Sequence, residues 1–401
     1  MVVKARRTAV IAPLAAGGIA LVALGLYPLV LAAASLFAPR HQRAKTAPAT
    51  RFALLIPAHD EERVIGQLLR SIAALDYPPA LFATHVVADH CRDETAAIAR
   101  DFGARVHERS DPAAPGKARS LNSLLDQLDA AGNDAVPYDA IVVLDADSTV
   151  APDLLTVLAA AVQGGEAVIQ ARVDIANPDE SWVSGLRAIA YCCVATLRPL
   201  GRSTLGLSAG LRGNGMCFAR EVAAHYRWEP DALAEDHELH SRLVADGYRV
   251  AFAPTARVQT WMPASLVAAR SQNERWERGR LDALRRYTPH LLHQGLQQRS
   301  WAPIDGALEL LIPPFTIAGG GAVGLVALGA LLGSLTVIVP AGLALLAQGL
   351  YILRGLTLLP ARSPRFYLSL LWAPVFIVWK FPVYLGAALR RGSTPWLRTA
   401  R

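Results

Sequence analysis

The stretch AIVVLDADSTV, Ala140–Val150, joins a short apolar run to a polar turn. Ile141 to Leu144 are apolar, and Asp145 and Asp147 follow before the turn at Ser148 and Thr149. An apolar run that ends in turn residues predicts a buried strand, typically in a parallel sheet. Ligands of open α/β sheets bind just beyond the carboxyl ends of the strands, which is where this D-x-D pair falls.

The two carboxylates of the D-x-D pair indicate a metal site. Residues i and i+2 share a side wherever the chain stays extended, so Asp145 and Asp147 would lie close together. Hard oxygen ligands suit Mg²⁺ or Mn²⁺, and such an ion reaches a diphosphate through its remaining coordination positions. A solvated turn at the end of a strand fits the same residues, because short motifs often occur by chance. The assignment therefore depends on the rest of the chain.

Composition places part of the chain in a membrane. The 401 residues are 53% hydrophobic and 18% charged, with a mean hydropathy of +0.28, which is too apolar for an ordinary soluble protein. Residues 8–37 and 310–353 contain no Asp, Glu, Lys or Arg. A bilayer core needs about 20 apolar residues per helix, so the first run predicts one span and the second predicts two.

A further apolar run covers residues 366–379, and it extends to about 389 if Lys380 is tolerated within it or snorkels to the membrane surface. We expect an N-terminal transmembrane helix at 8–37 and C-terminal transmembrane segments within 307–389, about four in all, followed by a basic tail at 390–401. A cleaved signal peptide is the alternative for the first segment, but its length favours a retained anchor.

Charge and cysteine usage exclude several classes of protein. The net charge is +7, and arginine pairs lie beside the apolar runs, as at Arg285-Arg286 and Arg390-Arg391. Such clusters mark the anionic cytoplasmic leaflet rather than a nucleic-acid site. The four cysteines form no C-x-x-C pair, which indicates a reducing compartment and argues against a zinc site.

Strand and helix patterns alternate from residue 52 to the D-x-D strand. A strand at Phe52–Ile56, broken at Pro57, precedes a helix, and a second strand ends at Asp89 before another helix. A third strand is expected around Arg105–His107, and a loop then carries Lys117 into a helix. This alternation predicts a mostly parallel, Rossmann-like α/β sheet. No G-x-G-x-x-G motif follows the first strand, so a dinucleotide site has no support.

The second half predicts further elements of the same domain. These are a strand in EAVIQARVDI, an apolar helix near the membrane in WVSGLRAIAYCCVATLRPL, a glycine-rich turn in GLRGNGMCFAR, a helix that starts at Glu235-Asp236, and a strand at Arg249–Ala253. Residues 263–301 predict one or two amphipathic helices that lie on the bilayer surface. We therefore expect one catalytic domain at 50–262, held to the membrane from both sides.

Several acidic and basic residues occur along the chain in the order of a known family pattern. Asp89, Asp145-x-Asp147, Glu235-Asp236 and Gln272-x-x-Arg275-Trp276 follow one another along the chain. This series resembles the D, D-x-D, E-D, Q-x-x-R-W pattern of membrane-embedded glycosyltransferase family 2, which contains cellulose, chitin and hyaluronan synthases and ceramide glucosyltransferase. PAHDEE and GKARSLN also look like that family's opening loop and lysine loop. The resemblance covers residues 52 to 280 and implies a GT-A fold.

The resemblance implies an activity and its substrates. Such enzymes move a sugar from a nucleoside diphosphate sugar, here expected to be a UDP-sugar, to an acceptor hydroxyl. The leaving diphosphate is anionic, so the reaction needs a metal ion, Mg²⁺ or Mn²⁺, and cationic side chains. The acceptor would be a membrane-associated lipid, a lipid-linked saccharide or a polysaccharide. The expected location is the plasma or inner membrane, with the catalytic domain in the cytosol.

The resemblance also implies a role for each matched residue. The residues implied are Asp236 as catalytic base, Asp145 and Asp147 as metal ligands with Asp145 also near the nucleotide, Glu61 and Asp89 at the base and ribose, Lys117 and Arg275 at the phosphates, and Gln272 and Trp276 at the acceptor or diphosphate. A base is needed because the acceptor hydroxyl loses a proton as it attacks. Arginine suits the phosphates because its planar fork binds them in a bidentate manner.

Plainer structural roles fit each of these residues. Asp89 could cap the following helix, and Glu235 with Asp236 could be a first-turn pair favoured by the helix dipole. Arg275 and Trp276 could anchor an interfacial helix among headgroups. Ala88 stands where many members of the family carry a second Asp, which leaves the choice of nucleotide open.

Three classes of function remain to be compared. A processive synthase that secretes its product needs a polar channel, and the apolar runs contain few charges besides those near Arg354 and Lys380. A non-catalytic scaffold would be expected to lose Asp236 or one D-x-D carboxylate, and these are intact. A transporter would need more spans and a smaller soluble domain. The sequence thus favours a membrane glycosyltransferase with simple transfer.

Overall fold

The computed structural model of the protein describes residues 2–39, 48–111, 116–130, 138–230, 232–360 and 363–389. The basic tail expected at 390–401 lies outside the described residues. The strands are β1 Phe52–Ala58, β2 Phe82–Asp89, β3 Arg105–Arg109, β4 Ala140–Val143, β5 Ser148–Val150, β6 Val168–Ile175, β7 Met216–Ala219 and β8 Val250–Thr260.

The helices fall into two groups, those of the sheet domain and those rich in apolar residues. The first group is α2 Ile65–Ala73, α3 Thr95–Asp101, α4 Lys117–Ala130, α5 Leu154–Gln163, α6 Trp182–Cys192, α7 Arg198–Thr204, α8 Arg220–His225 and α9 Glu235–Ala245. The others are α1 Val2–Ala34, α10 Leu266–Gln298, α11 Trp301–Leu311, α12 Phe315–Leu331, α13 Leu335–Leu356, α14 Pro364–Leu368 and α15 Ala373–Leu389.

The strands form one eight-stranded sheet in the order β3-β2-β1-β4-β7-β6-β8-β5. The first four strands in this order are parallel, as are β6 and β8, whereas β7 runs antiparallel to both β4 and β6. This confirms the predicted mostly parallel sheet and adds an inserted antiparallel strand. The D-x-D pair lies directly after β4, at the centre of the sheet.

Two strand predictions need correction. The first strand does not break at Pro57, which pairs with Val87 of β2. Leu55 accepts a hydrogen bond from Leu144 on the β4 side, and Pro57, two residues on, faces the same side beyond the end of β4. Its missing N–H therefore costs no ladder bond. Residues 148–150, expected as a turn, form the edge strand β5 by pairing with β8.

Both faces of the sheet are covered by helices. Along β1, Phe52, Leu54 and Ile56 belong to a core with α2, α3 and α5, whereas Ala53 and Leu55 belong to a second core with α4, α8 and α9. The side chains alternate between faces because the strand period is two residues. This explains why β1 and β4 consist of consecutive apolar residues.

A long helical segment, α6 to α7, packs against the strands β6 and β8. The α6 helix begins at Ser181, whose side chain and that of Ser184 form a capping box. It continues without interruption through a π-helical turn at Cys193–Leu197 into α7.

Residues 263–301, expected as one or two helices, contain α10 as a single helix that starts after the Ser265 cap.

Within the part of the chain that the structure describes, three helical segments are long and apolar enough to cross a bilayer. They are Ala9–Phe37, Leu335–Leu356 and Phe366–Leu389. The helices α11 and α12 form a bent pair at 64°, which would make a fourth span. The apolar run at 310–353 thus contains one long helix and part of this bent pair rather than two straight spans. Pro313 and Pro314 lie at the bend, where they interrupt backbone hydrogen bonding.

The first span packs against α7 at Gly201. A Cβ atom on Gly201 would lie 2.2 Å from the carbonyl oxygen of Leu31, so the two backbones are in direct contact. We expect Gly201→Ala to force α1 away from α7 and to lower the free energy of unfolding by about 1–3 kcal/mol. The measurement is the thermal unfolding midpoint of the purified full chain in detergent.

Gly342 in α13 provides a matched control for that substitution. A Cβ atom there meets nothing within 4 Å, so Gly342→Ala should leave the midpoint unchanged or raise it through better helix propensity. Equal midpoints for the two variants would mean that the contact between α1 and α7 is not a packing constraint.

Candidate active site

A single cavity of about 550 Å³ opens at the carboxyl ends of β1 and β4 and continues towards the apolar helices. Its sheet end is lined by His59, Glu61, Lys117, Asp145, Asp147, Gly213, Glu235 and Asp236. Its middle is lined by Arg187, Tyr191, Gln272, Arg275 and Trp276. Its far end is lined by Arg198, Arg212, Glu309, Phe315, Gln348, Ile352, Phe376 and Lys380. Eight of the nine predicted site residues therefore line one cavity, and Asp89 is the exception.

Lys117 connects the D-x-D pair to the E-D pair. Its ammonium donates to Asp145 Oδ1 at 2.5 Å and to the carbonyl oxygen of Gly213 at 2.6 Å, and it lies 3.9 Å from Glu235 Oε1. Burial lowers the pKa of Lys117, but attraction by Asp145 and Glu235 outweighs burial and raises it above its ordinary value. Lys117 is therefore a fixed cation at the D-x-D pair.

Asp236 lies on the other side of Gly213. This glycine has a φ of +75°, and a Cβ atom on it would lie 3.6 Å from Asp236 Oδ2 and 3.7 Å from the Lys117 ammonium. Asp236 Oδ1 accepts a hydrogen bond from the backbone N–H of His237, so the carboxylate is held in the first turn of α9. The D-x-D strand and the start of α9, about ninety residues apart in sequence, thus meet at one glycine.

Glu235 and His237 flank Asp236 and titrate abnormally. Burial raises the pKa of Glu235, and burial lowers the pKa of His237. The predicted first turn of α9 at Glu235 and Asp236 is present, so the helix dipole favours both carboxylates, and their chemical role stays a prediction.

Asp89 lies behind the cavity wall and is 1% exposed. One carboxylate oxygen accepts from Arg109 and His90, both at 2.7 Å, and the other accepts from the N–H of Gly116 at 2.8 Å and from Ser120 at 2.9 Å. Burial raises the pKa of Asp89, but these hydrogen bonds together lower it below its ordinary value.

This arrangement gives Asp89 a positioning role. It fixes the start of α4, which holds Lys117, rather than capping α3, the helix that follows β2. Direct contact between Asp89 and a nucleotide stays a prediction. Glu61 does line the cavity, and His59 beside it bonds through Nδ1 to the carbonyl oxygen of Asp89 at 2.6 Å.

The Gln272, Arg275 and Trp276 side chains come from one face of α10. Gln272 accepts a hydrogen bond from Arg187 of α6, whose guanidinium lies 5.6 Å from the centre of the Trp276 ring. Arg275 is half-buried in the cavity and attracts Glu235. Burial lowers the pKa of Arg187 to about 10, so this guanidinium is still charged near neutral pH. The helix α10 thus places Arg275 near Glu235 of the acidic pair.

Sequence patterns missed a group of buried arginines at the far end of the cavity. Arg202 pairs with Asp305 and Glu309 of α11, and Arg212 donates to Glu309 at 2.9 Å. Arg198 lies near them and also lines the cavity. Arg187 and Arg198 are three helical turns apart in an apolar helix, and that spacing was the available signal.

A buried ion pair links α10 to α15. The Lys380 ammonium lies 2.8 Å from Glu277, the residue that follows Trp276, and Arg280 lies 3.3 Å from the same carboxylate. The interfacial helix that carries the site motif is therefore tied to a candidate span by opposite charges. Of the two alternatives for Lys380, the structure favours tolerance within the helix, because its side chain is buried against the protein.

The donor set at the D-x-D pair fits a divalent ion. Asp145 and Asp147 are both partly exposed to the cavity, and both offer carboxylate oxygens, the ligands that Mg²⁺ and Mn²⁺ prefer. A second group, Asp60, Cys91 and Asp93, also clusters in the described residues. Asp60 accepts from the N–H of Arg92, and Asp93 accepts from Thr95, so these carboxylates stabilise two loops.

Comparisons with known proteins give the chain its class. A model of glycosyltransferase-like family 2 matches residues 48–279, more than half of the chain and the whole sheet. The protein is thus a glycosyltransferase with an apolar helical part, and it belongs to glycosyltransferase-like family 2. This confirms the resemblance to family 2; likeness to the cellulose synthases in particular is not shown.

Two curated relatives illustrate the family. The beta-monoglucosyldiacylglycerol synthase of Trichormus variabilis is 27% identical over 286 residues, which cover 69% of this chain and 59% of the relative. The probable glycosyltransferase YdaM of Bacillus subtilis is 28% identical over 238 residues, which cover 57% of this chain and 55% of the relative. The matched part of the chain thus spans somewhat more than half the length of these relatives.

One solved structure shares the fold over nearly the whole chain. The mannosyltransferase PcManGT from Pyrobaculum calidifontis, solved in complex with GDP-Man and Mn²⁺, has a TM-score of 0.57 at 19% identity. The alignment covers 94% of this chain and 98% of that chain. This confirms the predicted GT-A-like architecture with additional apolar helices.

Proposed function

We propose that the protein transfers a sugar from a nucleoside diphosphate sugar, with UDP as the expected nucleotide, to a membrane-associated lipid, lipid-linked saccharide or polysaccharide. One observation carries the proposal: the cavity runs continuously from the D-x-D pair to side chains of α12, α13 and α15. A water-soluble donor would enter at the sheet end, and an acceptor with an apolar part would enter between the apolar helices. A glycolipid synthase among the relatives supports this choice.

In the proposed reaction the acceptor oxygen attacks the anomeric carbon of the donor. The bond from this carbon to the diphosphate oxygen breaks, and the nucleoside diphosphate leaves on the opposite face, so the configuration inverts. Asp236 takes the proton from the acceptor hydroxyl. Lys117 and Arg275 stabilise the charge that develops on the diphosphate.

A divalent ion at Asp145 and Asp147 would supply further charge stabilisation at the diphosphate. The chain's own contribution is to hold the pair at the end of β4, where Asn214 accepts the N–H of Asp145 at 3.2 Å and Lys117 bonds its carboxylate. Glu61 would contact the nucleotide, and Gln272 and Trp276 would border the acceptor. The PcManGT complex with Mn²⁺ supports this choice of ion.

We also propose how the chain is placed in the cell. Residues 8–37 and 307–389 would cross or enter the plasma or inner membrane, residues 50–262 would form the cytosolic catalytic domain, and residues 263–301 would lie at its surface. The nucleotide sugars that such a site needs occur in the cytosol. Contacts such as Lys380 with Glu277, and Gly201 with Leu31, join these parts into one unit.

The experiment that tests the proposal is a panel of nucleotide sugars. A ligand that binds only the folded protein raises the thermal midpoint. At a concentration 100 times Kd it raises the free energy of unfolding by about 2.7 kcal/mol. We expect one UDP-sugar to raise the midpoint of the purified full chain in the presence of Mn²⁺ and to do so much less without the metal.

Release of the free nucleoside diphosphate, measured with the same donor and extracted membrane lipids, then reports transfer. A sugar-bearing lipid product is the expected result. If none of the nucleotide sugars shifts the midpoint with or without Mn²⁺, the protein does not use such a donor and the proposal is wrong.

A further inference from the structure

Arg198 differs from the other buried arginines of the cavity because the carboxylates near it are already paired with other arginines. Three arginines, Arg198, Arg202 and Arg212, lie close together at the far end. Asp305 and Glu309 are paired with Arg202 and Arg212. Among the described residues, no carboxylate lies within 4 Å of the Arg198 guanidinium. The group of three arginines and two carboxylates thus has one positive charge in excess.

The burial of Arg198 makes that excess costly. Its side chain is 7% exposed, and its Nε has no hydrogen-bond partner. Its neighbour Tyr351 forms a side-chain hydrogen bond with it and donates its hydroxyl to the carbonyl oxygen of Cys193 at 2.6 Å, so Tyr351 brings no negative charge to the guanidinium. A buried charge without an opposite charge destabilises a protein by several kcal/mol, so a guanidinium kept in this place indicates a bound anion.

The surroundings define what kind of anion fits. Arg198 faces the cavity where Val194, Leu310, Phe315 and Ile352 line it, and these side chains are apolar. The diphosphate of the donor is expected at Lys117 and Arg275 rather than at Arg198. A ligand for Arg198 therefore combines a compact negative group with a hydrocarbon chain, and such a molecule comes from the bilayer.

We propose that Arg198 binds the phosphate of an anionic membrane lipid, which enters between the apolar helices and serves as the acceptor. The assignment of this lipid as acceptor rests on the function proposed above, whereas the anion site itself does not. Arginine suits the site because its planar fork holds phosphate oxygens in a bidentate manner. The helix α7 would thus select acceptors by charge.

The test compares three probes on the full chain in phosphatidylcholine nanodiscs, each by direct binding measurement. The probes are lysophosphatidic acid, the monoacylglycerol with the same acyl chain, and inorganic phosphate. We expect lysophosphatidic acid to bind about tenfold more tightly than monoacylglycerol, because its phosphate accepts a charge-assisted hydrogen bond from Arg198 that the uncharged lipid lacks. Inorganic phosphate should bind more weakly than the lysolipid because it lacks the chain.

The variants separate a specific site from general attraction. Arg198→Gln should bind the two lipids equally, Arg198→Lys should keep part of the preference, and Arg270→Gln should keep all of it. Arg270 is an exposed arginine outside the cavity. Donor-induced thermal stabilisation of each variant shows whether its fold and donor site are intact. If Arg198→Gln does not fold, Arg198→Lys decides, because its preference for the lysolipid should be smaller than that of the unmodified chain.

Two results would overturn the inference. One is an unchanged preference in both Arg198 variants, and the other is tight binding of inorganic phosphate or monoacylglycerol by the unmodified chain. Failure of the proposed function looks different. In that case the lysolipid preference depends on Arg198, but no nucleotide sugar stabilises the protein and no nucleoside diphosphate is released.

Discussion

Asp236→Asn is expected to lower the rate of sugar transfer by about 10²–10⁴-fold, because the amide cannot accept the proton of the acceptor hydroxyl. The substitution keeps the shape of the side chain, and the N–H of His237 can still donate to its oxygen. Nucleotide binding should therefore change little. The measurement is kcat for nucleoside diphosphate release with lipid acceptor, together with the donor-induced shift of the thermal midpoint.

Two further variants make this result specific. Asp101→Asn removes an exposed carboxylate at the end of α3 and should retain the parent rate. Glu235→Gln tests the neighbouring carboxylate, whose pKa is raised by burial and which is the other candidate base. A parent-like rate in Asp236→Asn, combined with a large loss in Glu235→Gln, would transfer the role of base to Glu235.

Local patterns predicted the central strands because those strands are apolar on both faces. The runs at Phe52 and Ile141 could hardly be anything but buried strands, and their order fixed the parallel part of the sheet. The edge strand β5 could not be predicted. Its residues, Ser148 to Val150, look like a turn and become a strand only through pairing with β8, more than a hundred residues later. The antiparallel direction of β7 likewise follows from tertiary pairing.

The site shows the same division between local and tertiary information. The carboxylates were predictable because their residue types and order carry the chemistry. The separate position of Asp89 was not, since its four hydrogen-bond donors come from His90, from β3, and from Gly116 and Ser120 at the start of α4. Arg198 was missed because an arginine in an apolar helix resembles a membrane anchor. Only the packing of α7 against α1, and of the preceding π-helical turn against α13, shows that it faces a cavity.

The D-x-D pair gives the other large expected effect. We expect a chelator to abolish turnover of the unmodified protein and added Mn²⁺ or Mg²⁺ to restore it, because a metal ion contributes several kcal/mol at a developing charge. Asp147→Asn should lower turnover about 10³-fold, and added metal should not restore it. Lys117 does not touch Asp147 in the described hydrogen bonds and ion pairs, so its own placement should survive.

Binding measurements show whether the loss arises at the metal. In the unmodified protein, Mn²⁺ should increase the thermal stabilisation by the donor, and this increase should disappear in Asp147→Asn. Asp246→Asn, which removes an exposed carboxylate at the end of α9, is the control and should retain both turnover and the metal effect. Full turnover of Asp147→Asn, or of the unmodified protein in chelator, would instead mean that Lys117 and Arg275 alone stabilise the leaving diphosphate. In that case Asp145 would serve to hold Lys117 in place.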